Sequence, residues 1–63
     1  MDAQKIAAHL EDARKALMDA QCALNATLAE MSEDNHNADA IRNLRGLVVV
    51  GAQSVVSEAV RWA

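Results

Sequence analysis

A chain of 63 residues with one cysteine and a net charge of −3 makes a single small domain, 1–63. A chain of this size buries only about 60% of its unfolded surface, so disulfides, a metal or oligomerisation usually have to support its fold. Cys22 alone cannot form an intrachain disulfide. No CxxC or HxxxH pair accompanies it, and His9 and His36 stand thirteen and fourteen residues away, so no metal or other cofactor is expected. Oligomerisation is the support that remains.

Hydrophobic residues make up 52% and charged residues 24%, with no proline, no Phe or Tyr, and one Trp. This Ala- and Leu-rich composition is that of a helical protein, neither disordered nor β-rich. The acidic balance argues against nucleic acid as a partner, because phosphate binding needs a basic footprint. Met1-Asp2-Ala3-Gln4-Lys5 lacks the basic-then-apolar pattern of a secretory signal. The most apolar run, residues 46–57, is broken by Gln53, Ser54 and Ser57 and falls short of the roughly 18 apolar residues a bilayer span needs. A cytoplasmic protein with no membrane contact is expected.

In chain order, Asp2 is placed to cap a first helix, its carboxylate at the positive end of the helix dipole. Ile6, Leu10, Ala13, Leu17, Ala20, Leu24, Thr27 and Met31 then recur at alternating steps of four and three. This is a heptad seam in which large and small residues alternate, so that a facing helix can interdigitate. Nothing breaks the pattern, and the spacing predicts one helix over 3–32. Glu11 stands four residues before Lys15, and Asp12 three before it, which suits a solvated, internally paired outer face.

Ser32 to Asn37 are six successive polar residues and predict a connection over 33–37, with Asn37 as N-cap of a second helix over 38–62. So short a link makes the two helices antiparallel, and the fold class is an all-α two-helix hairpin. Ile41, Leu44, Val48, Ala52, Val55, Ala59 and Trp62 form its seam. Gly46 and Gly51 each cost about 1 kcal/mol in a helix interior, and the valines between them add to that. A strand at Leu47–Val50 and a break at Gly46 are therefore the rivals to a continuous helix. Antiparallel closure pairs positions whose numbers sum to about 70, setting Ala16 and Ala20 against Gly51 and Ala52, where small residues permit close approach.

Catalysis needs a nucleophile, a base and an orienting group converging in a pocket, and a hairpin with one cysteine and two distant histidines supplies none of these. No enzymatic activity is expected. The informative feature is surplus apolar surface. Val49, Val56 and Val60 form a second line beside the seam of helix two, and Met18 and Cys22 begin a smaller patch on helix one. Contiguous apolar lines at helical spacing mark an interface. They predict a homodimer, two hairpins making a four-helix bundle, with a further protein as partner. Arg45, Val49, Val56, Val60, Trp62, Met18 and Cys22 are the expected contact residues, Trp and Arg being favoured as anchors. The function expected is that of a small regulator, inhibitor or adaptor. Alternatives are a nucleic-acid-binding regulator using Arg42, Arg45 and Arg61, or a purely structural oligomerisation module.

Overall fold

The computed structural model describes residues 2–62, nearly all of which lie in α1 (Ala3–Glu30) and α2 (His36–Trp62). The helices pack against each other as a hairpin. Asp2 caps α1 as the sequence predicts. Its backbone is extended, and its carboxylate accepts hydrogen bonds from the amides of Gln4 at 3.0 Å and Lys5 at 3.3 Å.

The reversal has the expected length of five residues but lies two residues earlier, at 31–35 instead of 33–37, and uses a different cap. α1 stops at Glu30, because Met31 turns extended (φ −95°, ψ 144°) while its amide still donates to the Leu28 carbonyl. A β-turn follows, closed by the Asn35 amide donating to the Ser32 carbonyl at 3.1 Å. Asn35, not Asn37, then caps α2. Its side-chain oxygen accepts from the Asn37 amide at 2.9 Å and its carbonyl from the Ala38 amide at 3.0 Å. Asn37 is thereby drawn into the first turn, and α2 begins two residues earlier than the predicted 38. No described residue adopts a positive φ to make this turn.

α2 runs unbroken through Gly46 and Gly51, and Leu47–Val50 is helical, so neither the strand nor the break occurs. Half-buried Val48, Val49, Val55 and Ala59 carry the helix across its weak segment, since their contact with α1 outweighs poor intrinsic preference. The register is the predicted one. The Arg45 guanidinium donates to the Asn25 amide oxygen at 3.1 Å, joining positions whose numbers total 70.

One packing expectation is corrected. Ala16 is exposed, and the residue against Gly51 is Leu17. A Cβ added at Gly51 would lie 3.9 Å from the Leu17 methyls, which is ordinary contact, so the helices do not need a glycine there to approach. The molecule is a rod of 49 × 14 × 13 Å with a radius of gyration of 14.7 Å. A globular chain of this length has a radius of gyration of about 11 Å. The only buried residue among those described is Ala38, beneath the turn, and the seam of Leu10, Leu17 and Leu24 is half-buried.

Candidate interaction surfaces

Two helices side by side can bury only the strip between them, and the apolar residues this chain carries exceed that strip. Met18, Leu44, Leu47, Val50, Val56 and Val60 are all exposed, Leu47 and Val60 to 70% and 71%. At about 100° per residue these divide between opposite flanks of the hairpin.

One flank is a shallow groove of about 370 Å³ lined by Arg14, Met18, Ala52, Gln53, Val56 and Ser57. Its rim is built by Arg14. That side chain donates from Nε to Glu11 Oε2 at 3.0 Å and from Nη2 to Glu11 Oε1, a forked pair three residues apart on one helix. Its Nη1 reaches Met18 Sδ at 2.9 Å, which holds the thioether against the groove. The hydrogen bond from Arg14, with its positive charge, holds the Glu11 carboxyl below the usual 4.5, and Glu11 in turn raises the Arg14 guanidinium above its ordinary value. Glu11 thus takes Arg14 and not Lys15 as its hydrogen-bonded partner, because the planar guanidinium meets both carboxylate oxygens.

The expected contact residues fall into two groups. Val56, Val60, Met18 and Cys22 are exposed, and Val56 and Met18 line the groove together. Val49 and Trp62 are half-buried, as is Arg45, whose guanidinium is used within the chain to bridge α2 to Asn25 on α1. The other two arginines also have carboxylate partners on their own helix, Arg42 with Asp39 at 2.7 Å and Arg61 with Glu58 at 3.7 Å.

The second flank carries Leu44 and Leu47 from α2 beside Ala16, Ala20, Ala23 and Thr27 from α1. Thr27 turns its hydroxyl back to the Ala23 carbonyl at 2.8 Å, so its polar group is already satisfied. Val50 lies further round still, on the back of α2, and is 60% exposed. Neither Leu47 nor Val50 stands in the lines that sequence spacing picks out. The signal was nevertheless present: Leu47-Val48-Val49-Val50 is four apolar residues in succession, and such a run sweeps about 300° of a helix, more than one face can cover.

Among the described residues no group of three His, Cys, Asp or Glu side chains is placed to hold a metal ion. Nor is any helix among them long and apolar enough to cross a membrane. Compared with known proteins, the chain matches no family model, no curated protein and no solved structure.

Proposed function

We propose that this chain is a non-enzymatic association module: a helical hairpin that pairs with its own copy into a four-helix bundle and binds a further protein as a small regulator, inhibitor or adaptor. The observation that carries the proposal is surface. The accessible area is 4770 Å² for 6.8 kDa. A folded monomer of that mass exposes about 3,950 Å², which leaves an excess of roughly 800 Å². That excess equals what one partner contributes to a standard protein interface, about 800 Å². Exposed leucine and valine on both flanks give the interface its apolar content.

The Arg14-rimmed groove suits the further protein, since an apolar floor of Met18, Ala52 and Val56 beside a guanidinium resembles the anchor pockets of interfaces. A cytoplasmic setting agrees with the free, exposed thiol of Cys22. For the nucleic-acid alternative, Arg42, Arg45 and Arg61 would each have to leave a partner in their own chain, which makes it the weaker reading.

Light scattering coupled to size exclusion tests the self-association, and twice 6.8 kDa is expected at micromolar concentration. A well-folded monomer under those conditions overturns it. For the second partner, Val56→Asp sets a carboxylate into the groove and is expected to abolish capture of proteins that the wild-type chain retains, with helicity unchanged.

A further inference from the structure

We propose that the second copy covers the alanine flank, made by Leu44 and Leu47 of α2 with Ala16, Ala20 and Ala23 of α1, and leaves the Arg14 groove facing outward on both copies. The inference rests on the self-association proposed above and adds which face is used.

The two flanks differ in what burying them would desolvate. On the groove side stand the forked Arg14–Glu11 pair and the Arg45–Asn25 bond, with Gln53 in the groove wall. Taking such groups out of water costs more than their mutual attraction returns unless every remaining donor finds a new partner. On the alanine side, the stretch from Ala13 to Thr27 of α1 and from Leu44 to Val55 of α2 presents no charged residue: its flank positions are Ala13, Ala16, Ala20, Ala23, Thr27, Leu44, Leu47, Gly51 and Ser54. The only hydroxyl on the α1 part of that list is already bonded to its own helix.

Shape points the same way. Leu44 and Leu47 are 48% and 70% exposed and form a ridge, whereas the alanines beside them form a trough one methyl high. A two-fold axis sets ridges against low surface, the arrangement that lets helices interdigitate at close spacing. The direction between the helix-facing strip and this flank also holds Leu17, Ala20, Leu24, Leu44, Val48 and Val55, all half-buried except Leu44. A second hairpin here would complete the burial of that seam, whereas one on the groove side would enclose Arg14, Gln21, Asn25 and Arg45. The roughly 800 Å² by which the chain's surface exceeds that of a compact monomer leaves room for one side of a standard interface.

Two variants and one labelling measurement test the face. Leu47→Glu, at a side chain that packs little within its own hairpin, is expected to raise the dimer dissociation constant at least about 100-fold, while Val56→Asp leaves it within about threefold. Because Leu47→Glu could unfold a chain that depends on its dimer, thiol accessibility supplies a readout that needs no disruptive change. In Cys22→Ser/Ala16→Cys, maleimide labelling at position 16 is expected to slow at least tenfold as protein concentration passes through the dissociation constant. The native Cys22, on the other flank, is expected to keep its rate. A dimer in which Cys22 becomes protected and position 16 stays reactive overturns the face but not the self-association. A monomeric mass with both thiols reactive at every concentration overturns both.

Discussion

Asn35 holds the chain reversal with two acceptors at once, its side-chain oxygen on the Asn37 amide and its carbonyl on the Ala38 amide. Removing the side chain exposes an unsatisfied donor at the start of α2. Asn35→Ala is expected to lower stability by about 1 kcal/mol in urea unfolding, whereas Asn37→Ala stays within about 0.5 kcal/mol. The glycines predict the opposite sign. A methyl at Gly46 meets nothing within 4 Å, and one at Gly51 meets the Leu17 methyls at 3.9 Å. Gly46→Ala and Gly51→Ala should each raise stability by about 0.5–1 kcal/mol, and a loss at Gly51 would show that the helices approach more closely than described. The Glu11 carboxyl has a lowered folded value, below 4.5, so the stability it contributes is present above the unfolded value and disappears as pH falls through the folded one. Wild type and Glu11→Gln are therefore expected to differ slightly at neutral pH and to converge as pH falls below the lowered folded value in parallel urea titrations. The difference is small because both side chains of the pair remain partly in water, 32% and 46% exposed.

At the scale of the element, α1 was legible almost to the residue. Its seam repeats without a competing pattern, and Asp2 has no rival as cap. The turn was less so, because Asn35 and Asn37 are chemically equal candidates two residues apart, and only the Ser32–Asn35 turn decides between them. α2 was harder for a physical reason: glycine and valine there disfavour a helix, and what overrides them is contact with α1, which no local signal contains. The exposed faces were half legible. Val56 and Val60 stand out by spacing, but Leu47 and Val50 lie off any single stripe and emerge only once α1 fixes which way α2 faces. The bond from Arg45 to Asn25 was illegible for the same reason. An arginine beside an apolar line gives no local sign of which residue on the other helix it will meet.

For the whole molecule, a rod with a half-buried seam and one buried residue among those described has little interior to draw on. If a second copy supplies the missing burial, stability is tied to mass action, and the thermal midpoint should climb as protein is concentrated. Thermal scans across a hundredfold range of concentration check this, and a constant midpoint would count against self-association.

The chain reverses once, between Ser32 and Asn35, and each residue of α1 meets α2 at a place fixed by its distance from that bend. Joining is therefore expected to spread outward from the bend, layer by layer like a zip, each step enclosing a loop barely longer than the last. Asn25 and Arg45 come together early, and Leu17 and Gly51 after them. The open end, farthest from the bend, is expected to close last and part first.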